Sequence, residues 1–258
     1  MSKYKAYFID LDGTIYQGSK KFASGKRFID RLKAANIPYL FVTNNSTKSP
    51  ADVAANLTIN HQIDTTIDQI YTSAMATADY LKQLATPQQT RVLVVGETGL
   101  EEALLDAGFD LVQDEHADFV VAALDRAFTY DKLMYATLAI QHGAKFIATN
   151  RDTNLPNERG MIPGAGAIVA AIETATQITP TVIAKPQTPI MTGALQKLKI
   201  AKEDVIMVGD NYNTDILAGI NAGIDTLLVY SGLSTHDQID QVAIKPIHEI
   251  ESLDDWLV

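Results

Sequence analysis

Cysteine is absent from the 258 residues. That excludes disulfides, thiolate catalysis and cysteine-ligated zinc, and leaves the redox compartment unreadable. Positive charge is scarce: 21 Lys and Arg stand against 31 Asp and Glu, a formal net charge of −10. A surface of that sign repels a polyphosphate backbone, so nucleic acid is not expected as a partner. It also repels a small phosphorylated molecule at long range, so a phosphate site here needs locally placed positive charge. No run approaches the roughly 18 to 20 apolar residues that span a bilayer. The residues ahead of the first apolar run carry no stretch of signal-peptide type. The expectation is a cytoplasmic protein with no membrane partner. Repeats, low-complexity segments and charge blocks are also absent.

The chain does have enough apolar residues, 47% against 20% charged, to fill a core. Short runs rich in Val, Ile, Tyr and Phe recur at 5–10, 37–44, 69–73, 91–96, 117–124, 145–150, 181–185, 205–210 and 226–230. Several are apolar at consecutive positions, which marks strands covered on both faces, as in a parallel sheet. Helical spacing fills 28–35, 74–84, 100–107, 130–142 and 190–198, and Asn36, Gly108 and Gly143 stand as stop signals. This alternation predicts an α/β fold, a doubly wound parallel sheet. Polar, Pro-containing links at 85–90 and 177–181 suggest an α/β insert over 86–179 within a core made of 1–85 and 180–258. The acidic stretch 237–255 reads as a solvated helix or turn face.

In open parallel sheets, ligands bind outside the carboxyl ends of the strands. The first strand ends on Asp10-Leu11-Asp12-Gly13-Thr14 and the second on Thr43-Asn44-Asn45-Ser46. The one after the insert ends on Lys185-Pro186. The next ends on Gly209-Asp210-Asn211, with Asp215 five residues beyond Asp210. Asp10 and Asp12 suit a division of labour in which one attacks phosphorus and the other handles the leaving group's proton. Gly13 can turn backbone N–H groups toward an anion. The same five residues also make an ordinary capped turn.

Thr43 and Asn44 offer a hydroxyl and an amide for phosphate oxygens; capping by Thr47 or Ser49 ahead of Pro50 explains the segment equally. Lys185 follows an apolar run and either meets an anion there or snorkels outward. Asp210 ends an uncharged run, where a carboxylate needs a cation or hydrogen bonds. With Asp10 it forms a hard oxygen site suited to Mg²⁺. Asp215 orients the metal's waters or Lys185, or else is a first-turn helix aspartate.

Taken together and in this order, D-x-D-G-T, T-N, the lone lysine and G-D-x-x-x-x-D resemble the four motifs of the haloacid dehalogenase (HAD) superfamily of phosphohydrolases. About thirty residues separate Thr14 from Thr43, too few for a large cap, so the resemblance puts the cap between the second and third motifs. The segments 39–46, Thr149-Asn150-Arg151-Asp152, Pro163-Gly164-Ala165-Gly166 and 209–215 are similar to the NagD-like and p-nitrophenyl-phosphatase-like branch. The resemblance implies a Mg²⁺-dependent phosphatase of small phosphorylated metabolites, sugar or acid-sugar phosphates first, working through an aspartyl-phosphate intermediate.

It implies Asp10 as nucleophile and metal ligand. Asp12 would be the general acid/base, and its backbone carbonyl a metal ligand. Thr43, Asn44 and Lys185 would hold the phosphoryl group, and Asp210 would complete the metal site. The dehalogenases lack the second aspartate of the first motif, so Asp12 points to phosphate chemistry. The insert would carry specificity, with Asn150 and Asp152 as candidates beside a reading as turn chemistry near Pro156.

Rival readings stay in view. Nucleoside monophosphates are alternative substrates, and a phosphotransferase shares the same first step. Gly96-Glu97-Thr98-Gly99, between an apolar strand and a helix, has the setting of a phosphate loop. It lacks both G-x-G-x-x-G and a P-loop lysine, and a plain turn explains it. A catalytically silent scaffold would not need Asp10, Asp12, Lys185 and Asp210 together. The five histidines, His61, His116, His142, His236 and His248, are scattered and read as surface or helix-end residues. A homodimer through the insert is compatible with the sequence.

Overall fold

The computed structural model describes residues 3–157 and 159–258; Met1, Ser2 and Glu158 lie outside it, as do the side chains of Pro156 and Asn157. The chain divides into two compact units. The first comprises Met1–Thr43, Ala51–Tyr71 and Lys185–Val258, and the second Asn44–Pro50 and Thr72–Ala184.

The main sheet of the first unit has six strands. From one edge they run His248–Ile250, Asp225–Val229, Val205–Gly209, Ala6–Ile9, Tyr39–Thr43 and Ile70–Thr72. From His248–Ile250 to Tyr39–Thr43 the registers are parallel: Tyr7 faces Ile206 on one side and Tyr39 on the other. Ala6–Ile9, Tyr39–Thr43 and Val205–Gly209 are buried at every position, which is why they read as continuous apolar runs rather than alternating ones. The helix Ala23–Ala34 covers this sheet with Phe28, Ile29 and Leu32, all fully buried against Tyr7, Ile9, Phe41, Ile206 and Val208. Each such side chain contributes about 1.5–3 kcal/mol by leaving water. The helix ends where expected, with Asn36 at a φ of 53°.

The sheet of the second unit is also parallel. Its order is Thr181–Val182, Lys145–Ala148, Phe119–Ala122, Arg91–Val95 and Asp110–Val112. Its core joins Val95, Val120, Ala122 and Phe146 to Ile168, Val169 and Ile172 of the helix Ala165–Thr176. An antiparallel hairpin, Asn154–Asn157 with Gly160–Pro163, precedes that helix.

The fold is therefore the expected α/β arrangement of parallel sheets and helices, with differences in detail. The second unit extends beyond 86–179. It takes in the helix Ser73–Leu84, which packs on the helix Thr98–Asp106, and the strand Thr181–Val182. The expected core strand 181–185 is thus a strand of the second sheet, paired with Lys145–Ala148. The acidic stretch 237–255 contains an edge strand of the first sheet, His248–Ile250, between a short helix and a turn. Among the described residues, no helix is long and apolar enough to cross a membrane.

Candidate active site

The strand Ala6–Ile9 lies between Tyr39–Thr43, which the chain reaches next, and Val205–Gly209, which it reaches much later. Strand order therefore reverses beside it, and a parallel sheet opens a crevice at the carboxyl end of such a point. Asp10 stands there, one residue past the strand and 9% exposed. Lys185 reaches it: Nζ donates to Asp10 Oδ1 at 2.6 Å, to Asp215 Oδ1 at 2.7 Å and to the Val42 carbonyl at 2.8 Å. The ammonium has thus not snorkelled to solvent. Burial works against its charge, but Asp10 and Asp215 outweigh burial and hold its pKa above the usual lysine value.

Asp210 follows Val205–Gly209 and is 1% exposed. Thr14 Oγ1 donates to its Oδ1 at 3.0 Å and the Leu233 N–H to its Oδ2 at 2.9 Å. Gly13 and Gly232 make room for this carboxylate, since a Cβ on either would overlap it. Gly13 also has a φ of +98°, a conformation that side chains disfavour. Burial, and then the negative charge of Asp215, push Asp210 up to about 6 despite those donors. Asp10 is pushed well above the usual carboxylate range by burial and by Asp215, with Lys185 opposing.

Oxygens of Asp10, Asp210 and Asp215 lie within 4.8 Å of one another. Asp10 and Asp215 both pair with Lys185, and among the described residues Asp210 has no ion pair. Three neighbouring carboxylates, two of them paired with a single ammonium, leave a buried excess of negative charge. A hard divalent cation fits such an oxygen-only set, and Mg²⁺ suits a site that offers one or two carboxylates. Both oxygens of Asp215 are engaged, Oδ1 by Lys185 and Oδ2 by the Asn211 N–H at 3.1 Å, so one of them is held by a cationic partner, which Asp210 lacks among the described residues.

The structure thus brings Asp10, Lys185, Asp210 and Asp215 together. Asp12 is exposed, and its Oδ1 accepts the Gly18 N–H at 3.0 Å instead of joining the cluster. Thr43 is buried at the end of its strand. Asn44 belongs to the second unit. Lys185 differs from expectation in its support, because it follows a strand of the second sheet and is the first residue of its stretch of the first unit. Three groups escaped sequence reasoning. Thr14 lies inside the D-x-D-G-T motif, where nothing in the sequence marks its hydroxyl as a donor to Asp210. The Leu233 N–H and Ser231, whose Oγ donates to the Gly13 carbonyl at 2.7 Å, follow the strand Asp225–Val229, whose tip is as much a part of the edge as the others.

The phosphate-loop lookalike is closed. Glu97 pairs with Arg126 at 2.8 Å. The Gly99 N–H donates to the Thr47 carbonyl at 3.3 Å, and a Cβ on Gly99 would run into the Lys48 backbone. The helix start is therefore covered by protein backbone. Of the histidines, His61 ends its helix as expected but is buried, stacked on Tyr16 with ring centroids 4.2 Å apart.

Residues 7–110 match the haloacid dehalogenase-like hydrolase family and residues 182–256 match a second description, HAD-hydrolase-like. The chain belongs to the haloacid dehalogenase-like hydrolases. It is 48% identical to the acid sugar phosphatase of Staphylococcus epidermidis over 98% of this chain and 96% of that one. The solved double mutant of the thermostable NPPase from Geobacillus stearothermophilus superposes with a TM-score of 0.92 at 47% identity, covering 100% and 99% of the two chains. A putative p-nitrophenyl phosphatase from Bacillus subtilis gives a TM-score of 0.90 at 42% identity over 99% and 96%. Within its family the chain is a phosphatase, a phosphoric monoester hydrolase.

Proposed function

We propose that this protein is a Mg²⁺-dependent phosphatase of small metabolites, sugar and acid-sugar phosphates first, that works through an aspartyl phosphate on Asp10. The observation that carries the reading is the buried Lys185–Asp10 pair, with Asp210 beside it, at the point where the strand order of the sheet reverses. The likeness to an acid sugar phosphatase along nearly the whole chain favours the substrate class.

In this reading an Asp10 carboxylate oxygen attacks phosphorus in line with the ester oxygen. The P–O bond to the leaving group breaks as Asp12 gives that oxygen its proton. Asp12 then takes a proton from water, whose oxygen attacks the same phosphorus. The acyl-phosphate P–O bond breaks, returning Asp10 and releasing inorganic phosphate. Lys185 balances charge on the phosphoryl oxygens, held by Asp215, while Thr43 and Asn44 hold those oxygens without adding charge. Asp10, Asp210 and the backbone carbonyl of Asp12 would hold Mg²⁺, which when bound supplies charge neutralisation at the phosphoryl group. For its role Asp12 must leave Gly18 and turn toward the substrate. The second unit, the expected insert enlarged, is the cap that selects the non-phosphate part of the substrate. The enzyme is cytoplasmic in this reading, and its net charge of −10 argues against a nucleic-acid partner.

The test is a phosphate-release screen with Mg²⁺ over sugar, acid-sugar and nucleoside monophosphates, with Asp10→Asn as the control. Highest kcat/KM on sugar or acid-sugar phosphates supports the proposal. A preference for nucleoside monophosphates, or phosphate moved to an added sugar faster than to water, replaces it with one of the two alternatives.

A further inference from the structure

The second unit begins at Asn44, one residue after the strand Tyr39–Thr43 ends. Among the described residues, 44–49 lie outside any strand or helix, and Asn45 turns the chain by accepting the N–H groups of Thr47 and Lys48 at 2.8 and 3.1 Å. The backbone carbonyl and the side-chain NH₂ group of Asn44 are nevertheless held. Its carbonyl accepts Ser73 Oγ at 2.7 Å and Asn150 Nδ2 at 3.0 Å. Its side-chain amide donates to Asp152 Oδ1 at 3.2 Å. Asn150 is 4% exposed, and its own Oδ1 accepts the Asp152 N–H at 3.0 Å, so the two clamping residues brace each other.

The bracing continues one layer outward. The Gly166 N–H donates to the Asp152 carbonyl at 2.9 Å, and the Gly164 N–H to the Thr153 carbonyl at 3.0 Å. A Cβ on Gly164 would overlap the Asp152 carbonyl, and one on Gly166 would press on the Arg151 carbonyl. The start of the helix Ala165–Thr176 and the loop 151–153 are therefore in close backbone contact, which a larger residue at Gly164 would break. Arg151 turns away to Glu173 at 2.8 Å.

Two segments without a role in the chemistry thus become one support. We infer that Asn150 and Asp152 are positioning residues for Asn44, held in turn by Gly164 and Gly166, rather than residues that read the substrate's non-phosphate end. The inference rests on the proposed role of Asn44 at the phosphoryl group. A donor displaced by about 1 Å loses on the order of 100-fold in rate. Because every substrate brings the same phosphoryl group, loss of the clamp lowers kcat/KM by one factor for all of them.

The experiment uses the full chain and compares Asp152→Ala, Asp152→Asn, Asn150→Ala, Asn44→Ala and the Asp152→Ala/Asn44→Ala double variant. Each is assayed on p-nitrophenyl phosphate and on a sugar phosphate, with inorganic phosphate as competitive inhibitor. Asp152→Ala and Asn150→Ala should lose roughly 10- to 100-fold on both substrates alike, with weaker inhibition by phosphate. Asp152→Asn keeps the acceptor oxygen and should recover most of the loss. In the double variant, Asp152→Ala should add little to Asn44→Ala. Additive losses overturn the inference, as does a changed substrate ranking with phosphate inhibition intact. If Asn44→Ala is impaired while Asp152→Ala, Asp152→Asn and Asn150→Ala are not, the clamp alone falls. If Asn44→Ala itself is unimpaired, the proposed role of Asn44 falls, and the clamp with it.

Discussion

Lys185 and Asp215 form an ion pair of 2.7 Å in which neither side chain is more than 2% exposed. Asp215 thereby aims at Asp10 an ammonium whose charge burial works against. Removing one member of a buried pair leaves the other uncompensated, at about 3–5 kcal/mol. Lys185→Ala leaves Asp10 and Asp215 without it and should lower the urea-unfolding free energy of the metal-free protein by that much. An unchanged unfolding midpoint would show that the pair does not hold the site.

The carboxylates should also make stability depend on pH and metal together. Folded Asp210 has a pKa of about 6, against an ordinary value of 3.8. Between those values the folded protein binds more protons than the unfolded chain. Stability of the metal-free protein from this group therefore falls as pH rises through that window. A cation favours the ionised carboxylate, so Mg²⁺ should raise the melting temperature clearly at about pH 8 and much less at about pH 5. Asp210→Asn should remove most of that shift and stabilise the metal-free protein at the higher pH. Equal shifts at both pH values in a thermal melt would contradict this.

Asp12 should matter in proportion to how badly the leaving group needs a proton. On a sugar phosphate, whose alkoxide leaves poorly, Asp12→Asn should cut kcat/KM by on the order of 10² to 10⁴. On p-nitrophenyl phosphate, whose phenolate leaves without a proton, the cut should be much smaller. The same loss on both substrates would remove Asp12 from the proton transfer of the first step.

Gly13→Ala tests the room left for Asp210. The added carbon would overlap that carboxylate and would sit at a φ of +98°. The variant should need on the order of 10 to 100 times more Mg²⁺ for half-maximal activity. A Mg²⁺ titration with unchanged midpoint would show that the loop relaxes without moving Asp210.

The parts of this molecule legible in the sequence are those whose physics is local. Val205–Gly209 and Ala6–Ile9 read as covered parallel strands because every side chain in them is buried. Asp10 and Asp210 were conspicuous because they end those strands. The run 181–185 was equally visible as apolar, but an apolar run does not say which sheet it joins. Its pairing with Lys145–Ala148 was hidden for that reason. The same gap moved the expected boundary from 72 to 86, since the helix Ser73–Leu84 finds its partner, Thr98–Asp106, only in three dimensions. His248–Ile250 has three residues, none fully buried, too few for any period to show. Asn150 and Asp152 stood out as polar residues near a strand end, yet their bonds to Asn44 span more than a hundred positions.

The most direct measurement is acid quenching during steady-state turnover with Mg²⁺, followed by mass analysis of the peptide that contains Asp10. A single acid-stable, hydroxylamine-labile phosphoryl group on Asp10 is expected. It should be absent from Asp10→Asn, which should fold normally and show no turnover in freshly purified, non-deamidated protein. Phosphoryl label on another residue, or near-normal turnover by Asp10→Asn, would contradict the assignment of Asp10 as the nucleophile.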